Sequence, residues 1–265
     1  MKVSVLTTTV RPWDFAQRQL EALKEQTLDD FEWVFVDNRG GQRTLTSTNP
    51  RHIPLKIVQS RGGQPPYMAE ALAKNSGLSY CQGELVYLMN DYILPTPKVL
   101  ERHWQLYKEY GPKVFISGPL EAGDLEQKDR SRHRKVEYEI GDGVGEVSWA
   151  KLNSNSFTEF WAGRNDSASL EALLAVNGFD ECIDGGKGGI DLLIALRMAN
   201  WGCRHLVDLK EPCLEFSHVS PHVGQPDYDG NRWVGLYREI KDGRLVRTEN
   251  SWSIADERAS HLAYR

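Results

Sequence analysis

The chain has 265 residues and a formal net charge of −5, with 40% of its residues apolar and 26% charged. That length suits one large domain or two small ones and allows a substantial core. The acidic balance gives no hint of a generally nucleic-acid-binding surface, whose footprint is basic, though it leaves room for a local basic patch, and no apolar run approaches the ~20 residues that cross a bilayer.

The N-terminus, "MKVSVLTTTVRPW", reads as a strand rather than as a signal peptide with its long apolar centre and small-residue cleavage site. A cytoplasmic protein is expected. Cys81, Cys182, Cys203 and Cys213 form no Cys-x-x-Cys pair, which fits reduced thiols. Cys203, His205, Cys213 and His218 match no common zinc spacing.

Short apolar runs at 2–7, 32–36, 55–58, 85–89 and 114–117 alternate with helical patterns at 15–25, 68–80 and 97–110. This is the order of a parallel sheet covered by helices. Thr96 before Pro97 reads as a helix cap followed by a proline at the first helical position. The strands end in polar or small residues: "TTT", "DNRGG", "SRGG" and "NDY". Ligands of open α/β sheets bind beyond the carboxyl ends of the strands, so the chemistry is expected at this edge.

Residues 119–135, "PLEAGDLEQKDRSRHRK", are charged and lack apolar period; they read as a surface loop or as a contact to an anionic partner. "VEYEIGDGVGEVSWAKL" suggests a hairpin around Gly-Asp-Gly. "FTEFWAGRNDSASLEALLAVNGFD" reads as a strand, a helix capped at Ser167 or Ser169, and a turn. A helix at 190–200 and strands at 204–207 and 213–216 follow. The last forty or so residues, with Trp233, Tyr237, Trp252 and Tyr264, form a lid, an interface or a packed tail. No internal repeat or low-complexity tract occurs.

Neither a Walker loop nor a Gly-x-Gly-x-x-Gly after the first strand is present. Asp37 can accept from the imide N–H of a uracil-type base or from ribose hydroxyls, or it can cap its own turn. Lys74 and Asn75 can approach a base or a phosphate, or the lysine is simply solvated. Asp91 either starts a turn or ligates a divalent ion that bridges two phosphates, since hard cations take carboxylate and phosphate oxygens together. In "NGFDECIDGGKGGIDLLIALRMANWGC", Gly185, Gly186, Gly188 and Gly189 surround one lysine and lead into a helix that Asp191 opens. Glycines let backbone approach a ligand closely, and the helix dipole places positive potential beside that aspartate. "EPCLEFSHVSPH" sends a strand toward His218 and His222.

In this order, the segments resemble the inverting family-2 glycosyltransferases and their relatives with the GT-A fold, over about residues 2–220. "VSVLTTTVRP" is similar to the family's opening strand and Pro-Thr-x-Asn-Arg turn, with Thr8 in place of the proline and Arg11 kept. "FAQRQLEALKEQTLDDFEWVFVDNRGG" is similar to the helix, the Leu-x-x-Gln-Thr corner and the strand ending in paired aspartates, of which Asp37 is the first and Asn38 replaces the second. "AEALAKNSGLSYCQGELVYLMND" resembles the Ala-Arg-Asn-x-Gly-Ile helix, then Gly-Glu and the metal strand. Lys74 stands for the arginine, and Asn75, Gly77, Gly83 and Glu84 match. Met89 occupies the first position of the Asp-x-Asp motif and leaves Asp91 as its carboxylate. The glycine-rich segment resembles Gly-Gly-Glu-Asp, with Ile190 for the glutamate and Asp191 for the base; "PCLEFSHVS" is similar to the strand that carries a late metal-binding histidine, here His218.

The resemblance implies an α/β, GT-A-type (Rossmann-like) mixed, mainly parallel central sheet flanked by helices. A single catalytic domain over 1–220 is expected, with a nucleotide-binding half at 1–118, an acceptor-binding half at 119–220, and a C-terminal extension at 221–265. It implies transfer of a sugar from a nucleotide diphosphate sugar, a UDP-sugar first, to an acceptor hydroxyl. Asp191 would be the base, with a divalent cation, Mn2+ or Mg2+, on Asp91 and His218. Thr7, Thr8, Thr9, Arg11, Asp37, Lys74, Asn75, Asn90 and Asp91 would face the donor. Trp161, Arg164, Asn165, Gly188 and Gly189 would face the sugar or acceptor. The acceptor is open between a glycan, a protein, a small molecule and a hydroxylated DNA base, and the basic stretch "KDRSRHRK" is compatible with the last without selecting it. The alternatives are a GT-A-like domain that binds a nucleotide or glycan without catalysis, because Met89 and Ile190 replace acidic residues, and a nucleotidyltransferase.

Overall fold

Apolar runs without polar alternation belong to strands covered on both faces. The two at the start of the chain, β1 (Val3–Thr9) and β2 (Phe31–Asp37), are buried almost throughout. They pair in parallel, Val3 opposite Phe31 and Thr9 opposite Asp37. β3 (Leu55–Val58) adds to the far side of β2 and β4 (Leu85–Leu88) to the free side of β1, both in parallel. The computed structural model describes residues 1–9, 13–38, 45, 49–59, 69–123, 143–147, 163–184, 189–216, 234–241, 247–248, 250 and 252–263. Its further strands are β5 (Ile93–Pro95), β6 (Val114–Ser117), β7 (Leu120–Ala122), β8 (Val144–Val147), β9 (Asp166–Ser169), β10 (Arg204–Asp208) and β11 (Cys213–Glu215).

The main sheet has eight strands in the order β3-β2-β1-β4-β9-β6-β10-β8, and β5-β11-β7 form a small second sheet. β9 runs antiparallel to both of its neighbours, with Leu88 opposite Asp166. The start of β9 therefore lies at the same edge as the carboxyl ends of β1, β2 and β4. The chain adds strands on one side of β1 and then crosses to the other, so β1 and β4 flank a topological switch point, where such sheets bind ligands.

Helices cover both faces. α1 (Trp13–Lys24) and α3 (Val99–Tyr110) bury Leu20, Leu23, Val99 and Leu100 against Val3, Val5, Trp33 and Phe35. On the other face, α2 (Glu70–Leu78), α4 (Leu170–Ala175) and α5 (Ile190–Asn200) pack on Leu6, Val34, Val36 and Val86. Ile240 of α6 (Val234–Lys241) and Ile254 of α7 (Ile254–Ala263) join that same cluster, so the described part of the last forty residues packs as core. Among the described residues no helix is long and apolar enough to cross a membrane. The four cysteines are free thiols.

Local signals hold unevenly. Ser169 caps α4, its hydroxyl accepting from the Ala172 N–H at 3.0 Å. The Gln-Thr corner closes α1 onto α3: Gln26 donates to Thr96 O at 2.8 Å and accepts from the Leu100 N–H at 3.2 Å. Thr96 is not the cap of α3, which starts two residues after Pro97 from Lys98. Its hydroxyl donates instead to Pro212 O at 2.7 Å, tying the helix entry to β11. β8 pairs antiparallel with β10; the first arm of the expected hairpin lies outside the described residues.

Two buried charges hold layers together. Glu32, inside the sheet, accepts from the Ser4 hydroxyl at 2.7 Å and from the Gln82 N–H at 2.6 Å, and it pairs with Lys56. Arg197 of α5 grips Asp180 through two bonds of 2.9 and 2.6 Å, with both side chains at 2% exposure or less, and also donates to Arg247 O at 2.7 Å. Removing one member strands the other charge in the core. Asp180→Ala should therefore cost about 3–5 kcal/mol, read as a lower urea midpoint at unchanged slope.

Candidate functional site

The edge beyond β1, β2 and β4 collects most of the expected side chains. Strand alternation decides which of the threonines face it. Thr7 is fully buried and its hydroxyl accepts from the Trp33 indole at 3.1 Å, so it belongs to the core rather than to a donor pocket. Thr8 is half-buried. Thr9 is the last residue of β1, and its hydroxyl donates to Asp91 Oδ2 at 2.7 Å, bridging the switch point between β1 and β4. Asp37 ends β2 directly beside Thr9, and the Asn38 N–H donates to Thr9 O at 2.9 Å. Both carboxylates are buried, Asp37 at 1% and Asp91 at 8% exposure.

Asp91 follows Asn90 in a turn closed by the Ile93 N–H on Asn90 O at 3.1 Å. Gln19 of α1 fixes this turn by donating to the carbonyls of Asn90 and Ile93 at 2.9 and 3.0 Å. The Asn90 amide donates to the Tyr92 hydroxyl at 3.1 Å. Met89 sits among Trp33, Tyr87 and Ile93 in the core at 1% exposure. Among the described residues no three His, Cys, Asp or Glu side chains gather into a metal-binding group. Asp91 remains as one hard oxygen donor set by Thr9, a type that suits Mg2+ or Mn2+. β11 leads toward it: the Phe216 N–H, two residues before His218, donates to Tyr92 O at 3.1 Å.

Asp191 stands in the first turn of α5, after Gly189 in the left-handed region at φ 81°. A side chain would strain that conformation, and the helix dipole favours the carboxylate. Lys74, in the middle of α2, donates to Asp191 Oδ1 at 2.8 Å and to Glu70 Oε1 at 2.7 Å, with its ammonium 5.0 Å from the Phe179 ring centre. Burial alone would lower the Lys74 pKa, but the Asp191 and Glu70 carboxylates outweigh it and hold the ammonium above its ordinary range. Burial pushes the Asp191 carboxyl up and Glu70 adds to this, while Lys74 and Arg164 pull it back; the net direction is upward. Lys74, expected on the donor, is thus turned to two carboxylates instead.

Gly163, just before β9, has φ 64°, and a Cβ there would come within 2.9 Å of Asp191 Oδ1 and 3.1 Å of the Lys74 ammonium. Its neighbour Arg164 is buried and donates to Glu215 Oε1 at 3.1 Å. Two asparagines expected at the site are taken up by the fold. Asn75 exchanges bonds with Phe179 O and N–H at 2.9 and 2.8 Å and donates to Glu181 at 2.9 Å. Asn165 donates to Pro119 O at 2.9 Å and accepts from the Tyr87 hydroxyl at 2.9 Å. Arg11, Trp161, Gly188 and His218 lie outside the described residues.

Sequence reasoning missed Glu70, whose place four residues before Lys74 is a readable helical pair. It also missed Asp184, which accepts from the Ala71 and Leu72 N–H groups at 2.9 Å each and so caps α2, where Ala69 offers no side chain. No local signal announces a cap more than a hundred residues away.

The sequence model of glycosyl transferase family 2 matches residues 4–169, well over half of the chain. No curated protein matches it in sequence. The crystal structure of S. aureus TarS 1–349 in complex with UDP superposes with a TM-score of 0.68 at 17% identity, covering 97% of this chain and 68% of that one. The same protein in complex with UDP-GlcNAc gives 0.69 at 16% identity, covering 97% and 69%. The mannosyltransferase PcManGT from Pyrobaculum calidifontis, in complex with GDP-Man and Mn2+, gives 0.56 at 17% identity, covering 99% and 74%. These structures share the mixed, mainly parallel sheet flanked by helices. With the family match spanning the strands that build the edge, the chain belongs to glycosyl transferase family 2 and is a glycosyltransferase of the GT-A fold.

Proposed function

We propose that this enzyme transfers a sugar from a UDP-sugar to an acceptor hydroxyl with inversion, using Asp191 as general base. The observation that carries the reading is the placement of Asp191. It opens a helix, is held by Lys74, and lies in contact range of Gly163 at the edge where β4 ends and β9 begins. The acceptor O–H gives its proton to the Asp191 carboxylate while its oxygen attacks the anomeric carbon. The bond to the diphosphate oxygen breaks on the opposite face and its electron pair leaves with the nucleoside diphosphate. A single displacement inverts the anomeric configuration. Burial, which raises the Asp191 pKa, makes it a better proton acceptor than an exposed carboxylate, provided the pH keeps it ionised.

Asp37, beside Thr9, would accept from the base imide or the ribose hydroxyls, with Thr8, Arg11 and Asn90 on the donor side. Arg164, Trp161, Gly188 and Gly189 would face the sugar or the acceptor. Asp91 and His218 would hold Mn2+ or Mg2+, which when bound stabilises negative charge on the leaving diphosphate. The donor class is supported by the printed ligands of the structural neighbours: UDP and UDP-GlcNAc for TarS, and GDP-Man with Mn2+ for the mannosyltransferase. Four free thiols go with a cytoplasmic location.

The burial of Met89 and Ile190 in apolar clusters, where relatives carry acids, favours the second reading, a nucleotide- or glycan-binding domain without catalysis. UDP release from a panel of UDP-sugars with and without Mn2+ separates the two, since a binding domain releases none. Asp191→Asn should lower transfer by about 100- to 10,000-fold with UDP affinity unchanged, and wild-type turnover would remove the base assignment. Asp91→Ala should weaken UDP binding only when Mn2+ is present; titrations that overlay those of the wild type would count against the metal site. Gly163→Ala, which intrudes on Asp191 and Lys74 and strains a left-handed backbone position, should cut turnover by up to about 100-fold and lower the melting temperature by a few degrees.

A further inference from the structure

The Asp191 carboxylate does not own its counter-ion. Lys74 stands 2.8 Å from Asp191 Oδ1 and 2.7 Å from Glu70 Oε1, so one ammonium is divided between two carboxylates. Glu70 occupies the first turn of α2, one helical turn before Lys74, and its side chain is 40% exposed. Its position is fixed from outside the helix, because Asp184 holds the next two N–H groups of the same turn.

Among the described residues, the other charges around Asp191 do not offset this sharing. Arg164, before β9, attracts Asp191 but is engaged by Glu215 of β11 at 3.1 Å. Glu70 brings negative charge to the first turn of α2, where burial pushes the Asp184 carboxyl up to about 7. Arg197, on the helix of Asp191 itself, is committed to Asp180. Tyr92, which senses both Glu70 and Arg164, is neutral with its hydroxyl on the Asn90 amide. Among the described residues the Lys74 ammonium is thus the positive charge that Asp191 bonds, and it is held from two sides.

We propose that Glu70 is a positioning residue for the reaction: by taking one side of the Lys74 ammonium it keeps Asp191 from being locked in an exclusive ion pair and leaves that carboxylate able to accept a proton. This rests on the assignment of Asp191 as base. An exclusive pair would orient Asp191 equally well but would stabilise its charge further, making it a weaker base. Glu70 therefore trades some pairing energy of the carboxylate for basicity.

The sign follows from the charges. Glu70→Gln removes a negative neighbour, so the ionised form of Asp191 becomes easier to form and its titration midpoint falls. Carbon-13 NMR titration of the full-length protein, with the Asp191 carboxyl assigned by its loss in Asp191→Asn, reads this without any substrate. Glu70→Gln should lower the midpoint by about one pH unit, and Glu70→Asp, which keeps the charge but withdraws it by one methylene, should fall between. With a UDP-sugar that the enzyme turns over, the acid limb of kcat should move by the same amount while the donor KM stays put. Glu70 is half-buried and Gln is a good helix former, so circular-dichroism melts of both variants should lie close to that of the wild type. An unmoved Asp191 midpoint in Glu70→Gln overturns the proposal, as does a lowered kcat with an unshifted acid limb, which a purely structural role would give. Wild-type turnover by Asp191→Asn would instead remove the base assignment itself and this inference with it, so the two failures are distinguishable.

Discussion

A charged ammonium taken out of water needs a partner, and the cost of leaving it without one is several kcal/mol. At Lys74 that requirement organises the contact between α2 and the start of α5. The lysine lies in the middle of α2 with 3% exposure, so its stem is packed and its charge can be satisfied only where α2 faces the start of α5. Asp191 supplies one partner and Glu70 the other. Because α2 and α5 are helices on one face of the sheet, the pair also fixes their relative placement. Gly163 then comes up against it from the start of β9, where any side chain would intrude.

α2 is itself held by bonds that run far along the chain. Asn75, next to Lys74, clamps the turn around Phe179 with three hydrogen bonds. That turn holds the C-terminal segment: Asn250 donates to Asn177 O and Phe179 O, Thr248 donates to Asn177 O, and Trp252 donates to Glu181. Asn177 takes the left-handed conformation at φ 59°, one of the few non-glycine residues suited to it. Each such bond is worth only about 1 kcal/mol net, but a buried network that is satisfied throughout specifies one arrangement. Thr248, Asn250 and Trp252 thus brace the helix that carries Lys74, although they are remote from it in sequence.

The strands were legible because their apolar runs record burial on both faces, and the helices because their apolar residues recur at three- and four-residue spacing. β2 and the span of α5 were expected within two residues of where they lie. What could not be read was which polar residues the fold consumes. Asn75 and Asn165 carry the same side chain as many ligand contacts, and only their partners, Phe179, Glu181, Pro119 and Tyr87, show that they stitch distant segments together. Thr96 looked like a cap, and its hydroxyl instead donates to Pro212 O just before β11. Thr9 and Asp91 are separated by 82 residues; their bond depends on β1 and β4 being neighbours, which no local pattern states. The family resemblance named Asp191 from its motif but said nothing of how Lys74 is shared.

The glycine-rich segment has its two ends anchored to a single body. Asp184, just before it, caps α2, and Asp191, just after it, pairs with a lysine of that same helix. The separation of its ends is therefore set by α2 and not by the segment's own length or composition. Closing a loop between fixed posts becomes costlier only with the logarithm of its length, so a few added residues amount to about 0.5 kcal/mol. Insertions between the posts would then leave the Asp191 carboxylate in register with Lys74.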